Sequence, residues 1–430
     1  MEKAKPARKR GILSEYIAES GFDITFLVLV LTLLTIGLVM LFSASYTYAY
    51  YYEHGDSTFY FVKQLEFALI GIVAMFAISK IKYEYLKIGA VIGIGVAVLL
   101  LGIVLLVPEQ VPGFKRWIPV PGIGTFQPSE VAKLALILFC AWGMDKDHKK
   151  IVGKIPVESE WAKKIQGITN GKITVYKSLT SLFIYGGVIV FIAGLVYAEN
   201  HVSGTVLILA IGVVMLWMGE FKSHWFIIGG TLAILMIIIF VLNPQLLENY
   251  AGERITAWLD KDYSPGDKRW QINQSLYAIG SGGFLGEGLG NSKQKHLYVS
   301  EPQNDFIFSI VCEELGFIGA AIIIILFILL VWRGIVIGMK ARDRFGALLS
   351  IGIVFQVGLQ AALNIAVVTD TIPNTGISLP FFSAGGTSLC ILLFEMGIVL
   401  GVSRYSRLPK ADAPAPARTG SRVKQNKAGD

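Results

Sequence analysis

The chain has 430 residues, of which 54% are hydrophobic and only 16% are charged, and its net charge is +7. Soluble domains average about 45–50% apolar and about 25% charged residues, so the composition excludes an ordinary soluble protein. The positive charge does not indicate nucleic-acid binding, because the lysines and arginines lie in tails and short segments between apolar runs, as in membrane proteins.

Apolar segments long enough for membrane helices recur along the whole chain. We therefore predict an all-α polytopic membrane protein, and the ten predicted spans are at about 24–45, 61–79, 86–107, 127–143, 178–198, 203–219, 224–243, 305–334, 345–369 and 376–402. The second span is interrupted near its start by Lys63 and Glu66, and the fourth is short and carries Glu130 and Lys133. Length and composition together indicate one helical bundle.

The basic residues are distributed unevenly between the two sides that these spans define. On the side of the N-terminus lie 28 of the 38 lysines and arginines, 9 lie on the other side, and Lys133 lies within a span. Because cytoplasmic segments of membrane proteins carry the excess of basic residues, we expect both termini in the cytoplasm.

The segments outside the spans complete the predicted organisation. Residues 1–20 form a basic cytoplasmic tail and not a cleavable signal peptide, since the first apolar run is a full span. The membrane domain covers 21–405, with a Lys-rich inner connector at 144–177 and a large outer loop at 244–304. Residues 406–430 are rich in Ala, Pro and basic residues, which predicts a disordered cytoplasmic tail.

Residues that are costly inside a membrane gather on the outer side of this map. The outer loop is rich in Trp, Tyr and Gly, and loops of its length are uncommon unless functional or disordered. Glu199 and His201 lie in the turn between the fifth and sixth spans, and residues 46–61 form a tyrosine-rich interfacial belt. We therefore expect a polar cavity that opens outward.

Two pairs of charged residues lie in or just before the fourth predicted span, near the expected cavity. Glu130 and Lys133 are three residues apart on one helical face, so they can pair, either as a structural ion pair or as part of a functional site. Lys115 and Arg116 precede the fourth span, where they could be solvated loop charges, lipid-headgroup anchors or substrate-binding groups.

Three acids lie at the start of the eighth span. Asp305 follows Pro302, and its carboxylate could cap the helix or serve a functional site. Glu313 and Glu314 are adjacent and point about 100° apart, so at most one faces the side of Asp305 and the other pairs with a neighbouring helix. We interpret both glutamates as packing or supporting residues.

The glycine-rich stretch GSGGFLGEGLG at 280–290 resembles a phosphate-binding loop only superficially. No strand precedes it and no Gly-Lys-Ser/Thr follows it, so the nucleotide-binding motif fails. The glycines predict tight turns, re-entrant backbone or close approach of a helix. Cys140, Cys312 and Cys390 lie singly in apolar runs and form no metal-binding pair.

Four stretches together resemble one family of membrane proteins. They are residues 271–319, QINQSLYAIGSGGFLGEGLGNSKQKHLYVSEPQNDFIFSIVCEELGFIG, and the shorter motifs RWI, QPSEVAKL and GISLPFFSAGGTSL. The chain resembles the FtsW/RodA/SpoVE (SEDS) family of bacterial cell-wall proteins over about residues 20–405. Ten spans with both termini inside agree with that family.

The resemblance implies a peptidoglycan glycosyltransferase of the bacterial cytoplasmic membrane. It would polymerise lipid II on the outer face, release undecaprenyl pyrophosphate and act with a class B penicillin-binding protein. The family's essential aspartate falls on Asp305, its acid and base of the fourth span on Glu130 and Lys133, and its loop arginine on Arg116. The further candidate substrate-binding residues are Lys115, Gln274 and Ser388.

The residue types suit a displacement at a sugar carbon. One carboxylate, Asp305, could deprotonate the attacking hydroxyl, because inversion needs no second nucleophilic carboxylate. Arg116 and Lys133, with Glu130 orienting Lys133, would stabilise the leaving pyrophosphate. A divalent cation, Mg²⁺ or Mn²⁺, could assist, although no carboxylate cluster in the sequence indicates a dedicated metal site.

The chain departs from the common family pattern at three places. Residues 112–117 read PGFKRW, where members often have Asn-Gly-x-x-Arg-Trp. Residues 199–205 read ENHVSGT, which resembles the division-type branch and implies divisome partners, while 383–387 read SAGGT and lack a tyrosine found in many members. Elongation-type and sporulation-type members remain alternatives. A lipid II flippase and a silent scaffold for the transpeptidase are the other two functions that this sequence leaves open.

Overall fold

The computed structural model describes residues 21–109, 115–122, 124–153, 155–157, 177–243, 250–259 and 268–406. The predicted cytoplasmic tails, most of the inner connector and parts of the large outer loop lie outside these residues. Statements about the fold and the site concern the described residues alone.

Ten long helices form the described fold. They are α1 Ile24–Tyr52, α2 Phe59–Lys80, α3 Leu86–Leu106, α4 Pro128–Lys146, α5 Lys177–Ala198, α6 Val202–Met218, α7 Ser223–Leu242, α8 Ile307–Met339, α9 Arg344–Val368 and α10 Gly386–Ser406. Shorter helices are a 3₁₀ turn at Tyr83–Tyr85 and α-helices at His148–Val152, Tyr250–Leu259 and Lys268–Ser281. Strands β1, Ile118–Val120, and β2, Gly124–Phe126, pair antiparallel before α4.

Each predicted span coincides with one of these helices, which confirms the all-α polytopic fold. Eight of the described helices are long and apolar enough to cross a membrane, and α6 is a shorter apolar helix. The remaining one, α4, is less apolar because it carries Glu130 and Lys133 near its start and Asp145 and Lys146 at its end. The crossing of all ten helices and their orientation stay predictions.

The bounds of three predicted segments are wrong. Helix α1 continues to Tyr52, so the first part of the tyrosine-rich belt is helical, and the Tyr48 and Tyr52 rings stack with centroids 4.4 Å apart. Helix α8 extends five residues further than predicted, to Met339. Helix α10 begins only at Gly386, because the preceding residues include Gly376, with a φ of 69°, and Pro380.

The bundle is organised around α8 and α10. Helix α10 packs along α2, while α8 lies between α1 and α9. Small residues allow the close contact of α10 with α2, since a Cβ added at Gly397 would lie 2.4 Å from the Met75 carbonyl oxygen. Helix α7 lies apart from this core, and none of its residues is buried.

Helix α8 is broken at Gly316, which has φ 66° and ψ −170°. The glycine-rich stretch 280–290 fills the break: Phe317 N donates to the Gly283 carbonyl and Glu287 N donates to the Glu313 carbonyl, both at 2.9 Å. A Cβ added at Gly286 would lie 2.2 Å from the Glu314 carbonyl oxygen. The predicted close approach of these glycines to a helix is confirmed, because only a bare backbone fits there.

Candidate active site

A cavity of about 640 Å³ lies within the bundle. Its walls come from α2, α4, α6, α9 and α10, from the helix Tyr250–Leu259 and from the segments that precede α4, α8 and α10. The acidic, basic and histidine residues that line it are Lys63, Arg116, Glu130, Lys133, His201, Arg254, Glu301, Asp305 and Glu395. Most of the polar residues that the sequence placed on the outer side thus meet in one space.

The backbone that carries Asp305 is held by three hydrogen bonds. Asn364 Nδ2 of α9 donates to the Asp305 carbonyl at 2.7 Å, and Ser383 Oγ donates to the Asn304 carbonyl at 2.7 Å. Ala384 N donates to the Gln303 carbonyl at 2.8 Å. The segment before α10 therefore fixes the position of the acid relative to the cavity.

Asp305 lines this cavity and does not cap α8. The N-cap residue of α8 is Phe306, and no side chain makes a capping hydrogen bond there. The capping interpretation of Asp305 is therefore wrong: the acid precedes the cap position and lies among cavity residues. Burial raises the pKa of Asp305 to about 6, while Arg254 and Arg116 partly oppose this shift.

Two arginines supply positive charge near Asp305. Arg116 is 8% exposed, and its Nη2 donates to the Asn200 carbonyl. Arg254 Nη1 donates to the Asn374 carbonyl at 2.7 Å. Burial lowers the pKa of each arginine to about 10, and the carboxylate of Asp305 counteracts that shift in both. Both guanidinium groups stay charged near neutral pH.

Arg254 was missed by the sequence analysis. It acts on Asp305 more strongly than Arg116 does. The sequence places it in the large outer loop without a motif that distinguishes it from the other basic residues there. The one indication in the sequence is that Arg254 lies in a short amphipathic stretch, GERITAW.

The predicted pair in α4 is confirmed. Lys133 Nζ lies 2.8 Å from Glu130 Oε2, and it also donates to Gln360 Oε1 at 3.0 Å. Gln360 Nε2 in turn donates to the Ser378 carbonyl at 3.1 Å. Lys133 is 3% exposed. The Glu130 carboxylate and the Gln360 amide therefore compensate its charge for the loss of water inside the bundle.

A further acid, Glu395, was also missed. It lies near the middle of α10, lines the cavity and accepts from Gln356 Nε2 at 3.2 Å and 3.3 Å. The surrounding sequence, SLCILLFEMGIVLG, is apolar, and a single acid in it gives no indication of which helix faces it.

The other predicted substrate-binding residues differ in position. Ser388 lines the cavity, whereas Lys115 does not, and the ammonium of Lys115 lies 3.5 Å from the Leu105 carbonyl. Gln274 is buried in the helix Lys268–Ser281 and does not line the cavity either. The structure thus brings Arg116, Glu130, Lys133, Asp305 and Ser388 together and leaves Lys115 and Gln274 outside.

Glu313 and Glu314 support residues 292–295 of the predicted outer loop, called the outer segment below, instead of lining the cavity. Glu313 Oε1 accepts from Lys293 N at 2.9 Å. Glu314 accepts from Ser43 Oγ of α1 at 2.7 Å and from Lys295 Nζ at 2.8 Å. One of the two therefore pairs with a neighbouring helix, and both hold residues 292–295 against α8.

No metal-binding group is formed by the described residues. Within the described ranges, no cluster of three or more His, Cys, Asp or Glu side chains could hold a metal ion. The predicted assistance of a divalent cation, Mg²⁺ or Mn²⁺, stays a prediction.

Comparison with protein families decides the assignment. The chain matches the model of the FTSW_RODA_SPOVE family, described as cell cycle protein, over residues 24–408. The chain belongs to the FtsW/RodA/SpoVE family. Together with its apolar helices, this membership identifies a multi-pass protein of the cytoplasmic membrane.

Curated relatives of this family cover nearly the whole chain. Stage V sporulation protein E of Bacillus subtilis is 38% identical over 90% of this chain and 98% of its own length. The "Probable peptidoglycan glycosyltransferase FtsW" of Trichlorobacter lovleyi is 35% identical over 92% of this chain and 97% of its own length.

Solved structures of the family share the fold. A chain of a peptidoglycan synthase complex matches with a TM-score of 0.69 at 23% identity, covering 90% of this chain and 99% of that chain. The rod shape determining protein RodA of Thermus thermophilus matches with a TM-score of 0.59 at 22% identity, covering 90% of this chain and 98% of its own. At these identities the likeness shows the fold.

Proposed function

We propose that the chain is a peptidoglycan glycosyltransferase that polymerises lipid II on the outer face of the membrane, with Asp305 as the general base. The observation that carries this proposal is the position of Asp305 in a cavity that also contains Arg254 and Arg116. The family membership and the curated relatives named as FtsW support the reaction class.

The reaction joins two sugars in one displacement. The carboxylate of Asp305 accepts the proton of the attacking sugar 4-hydroxyl, and the oxygen forms a bond to the anomeric carbon of the second substrate. The bond between that carbon and the pyrophosphate oxygen breaks, and undecaprenyl pyrophosphate leaves with the electron pair. The configuration at the anomeric carbon is inverted, so one carboxylate suffices.

The charges in the cavity suit the two halves of this step. With a pKa of about 6, Asp305 is mostly ionised near neutral pH, and it is more basic than an ordinary aspartate. Arg254 and Arg116 are charged near neutral pH and would stabilise the negative charge that develops on the pyrophosphate. Lys133, oriented by Glu130, is the second source of positive charge.

A purified polymerisation assay tests the proposal. Lipid II is supplied to wild type, to Asp305→Ala and to Asp56→Asn, an exposed acid of the outer side that does not line the cavity. We expect glycan strands from wild type and Asp56→Asn, and none from Asp305→Ala. Normal strand length and yield from a folded Asp305→Ala protein would exclude Asp305 as the base.

The partner is proposed to be a class B penicillin-binding protein of the divisome. The match to a chain of a peptidoglycan synthase complex supports such a partnership. Residues 199–205 favour division, although relatives from sporulation and FtsW proteins are similarly close, at 38% and 35% identity. Complementation of strains depleted of the division, elongation or sporulation member separates these roles. The lipid II polymerisation assay, run with and without the partner, tests whether activity needs the partner.

Lipid II translocation is the second candidate function. The observation in its favour is the depth of the cavity, which reaches Lys133 and Glu395 inside the bundle. Proteoliposomes that contain the protein and fluorescent lipid II test it. Translocation that depends on Glu130 and Lys133, without polymerisation by the same preparation, would make this function the better assignment.

A further inference from the structure

The turn between α5 and α6 places a buried acid behind the cavity wall. Glu199 is fully buried, and neither of its carboxyl oxygens has a hydrogen-bond partner within the described part of the chain. The next residue, Asn200, has a φ of 57°, a left-handed conformation, and its carbonyl accepts a hydrogen bond from Arg116 Nη2. The same short turn therefore carries a buried carboxyl and holds the cavity arginine.

Arg116 is electrostatically shared between this turn and the cavity. Its positive charge is favoured first by Glu199 and second by Asp305. Asp305 is in turn stabilised by Arg254, so four groups of alternating sign act on one another. A change of charge on Glu199 therefore changes how strongly the Arg116 guanidinium is attracted to Glu199 relative to Asp305.

We propose that Glu199 is a positioning residue for Arg116. The charge of the Glu199 carboxyl group decides whether the guanidinium is held at residues 199–201 or interacts with a ligand in the cavity. With Glu199 neutral, the guanidinium is available to the pyrophosphate of a bound polyprenyl pyrophosphate lipid. With Glu199 ionised, the guanidinium is drawn back to residues 199–201. The inference rests on the proposed function to the extent that Arg116 binds the pyrophosphate.

Glu199 is the group around this turn that titrates just above neutral pH. Burial raises the pKa of Glu199 to about 8, although Arg116 opposes the shift, so the carboxyl is neutral below that pH and ionised above it. Burial, together with the positive charges of Arg116, Lys133 and Arg254, holds the pKa of His201 on the same turn well below the usual value for histidine.

Asp305 and the two cavity arginines titrate in different ranges, and Glu395 of α10 is a further acid that lines the cavity. Asp305 titrates near pH 6, on the acid side, and Arg116 and Arg254 titrate near pH 10. Lys133 is paired with Glu130 on α4. A loss of anion binding centred near pH 8 is assigned to Glu199 only where an isosteric amide at that position removes it.

The experiment measures binding of undecaprenyl pyrophosphate to the full-length protein in nanodiscs at pH 7 and pH 9. If only the form with neutral Glu199 binds well, a pKa of about 8 predicts an affinity about tenfold lower at pH 9. Glu199→Gln should reduce this change to less than about twofold. Glu199→Asp, which keeps a titratable carboxyl, should retain a pH-dependent loss.

The matched control is Glu220→Gln. Glu220 also follows the end of a helix and pairs with an arginine, with its Oε1 2.8 Å from Arg344 Nη1, but it does not line the cavity. Unlike Arg116, the arginine partner of Glu220 does not line the cavity, so this variant should keep the wild-type loss of affinity. An equal loss in wild type and Glu199→Gln would overturn the proposal. So would a wild-type affinity that does not fall between pH 7 and pH 9, which requires no variant to fold.

A parallel assay of lipid II polymerisation separates this inference from the proposed function. A pH-dependent affinity that Glu199→Gln abolishes, in a protein that forms no polymer, would refute the polymerase function and leave the positioning role intact. Polymerisation by wild type with a binding profile unaffected by Glu199→Gln would refute the positioning role alone.

Discussion

Lys295 Nζ lies 2.8 Å from Glu314 Oε1, and both side chains are almost fully buried. The pair connects the outer segment to the first part of α8, and Ser43 Oγ of α1 donates to the same carboxylate. Glu314 lies nine positions after Asp305 in the chain, so this contact fixes the helix that continues from the proposed base.

Lys295→Met should destabilise the protein strongly. The substitution keeps most of the side-chain volume but leaves the buried carboxylate of Glu314 without its positive partner, which costs about 3–5 kcal/mol in comparable buried pairs. Thermal unfolding in detergent measures the effect. Lys295→Met combined with Glu314→Gln should recover much of the loss, and Arg344→Met, at a pair whose acid is 56% exposed, should cost less than about 1 kcal/mol. Equal losses at the two sites would contradict this expectation.

Gly282→Ala should destabilise the packing of the glycine-rich stretch against α8. A Cβ at this position would lie 2.0 Å from the Cys312 carbonyl oxygen, and backbone on both sides cannot yield easily, so we expect a cost above about 2 kcal/mol. Gly280→Ala is the matched control, since nothing lies within 4 Å of its Cβ and it is helical. That variant should be neutral or stabilising by up to about 1 kcal/mol. The midpoints of thermal unfolding of the two variants decide the matter.

Arg254→Ala should reduce polymerisation of lipid II sharply. Removing a charged donor that stabilises a developing anion typically lowers rates by about 10²–10³-fold, and Arg254 is the stronger of the two arginines acting on Asp305. Lys293→Ala, at an exposed lysine of the outer segment that does not line the cavity, should stay within about twofold of wild type. Rates measured with purified lipid II test this, and similar losses for both variants would show that Arg254 has no special role.

The polymerisation rate should fall on the acid side of about pH 6. A general base must be ionised, and burial raises the pKa of Asp305 to about 6, so kcat/KM should drop about tenfold per pH unit below that value. The same protonation has the opposite effect on the free energy of unfolding, which increases as the pH falls. The folded protein binds a proton at a pH where the unfolded chain does not, so protonation of Asp305 between about pH 6 and pH 4 favours the folded state. An acid limb near pH 4 would instead indicate an ordinary, solvated carboxylate.

The fold was predictable because apolar length and the position of basic residues follow directly from the membrane environment. The same signals could not give the break in α8, since Gly316 looks like one more glycine until residues 283–288 are seen to occupy the gap. The late start of α10 was missed for a similar reason. Residues 376–385 are apolar enough for a span, and only their contacts with Asn304 and Gln303 explain an irregular conformation.

The site was predictable where residues are close in sequence or carry the family resemblance. Glu130 and Lys133 pair because of helical spacing. Arg254 and Glu395 could not be found in this way, because their relation to Asp305 and Lys133 exists only after distant helices pack. Gln274 shows the converse case, in which a residue of the most family-like stretch is buried away from the cavity.

We expect the break at Gly316 to make the depth of Asp305 in the membrane independent of the thickness of the lipid bilayer. Helices that cross a bilayer adjust to its thickness by tilting. In α8 the part after Gly316 can tilt in this manner, whereas residues 307–315 are bonded to the outer segment through Glu313 and Glu314. We therefore expect the proposed base to keep its place in the cavity when the protein enters a thinner or thicker membrane.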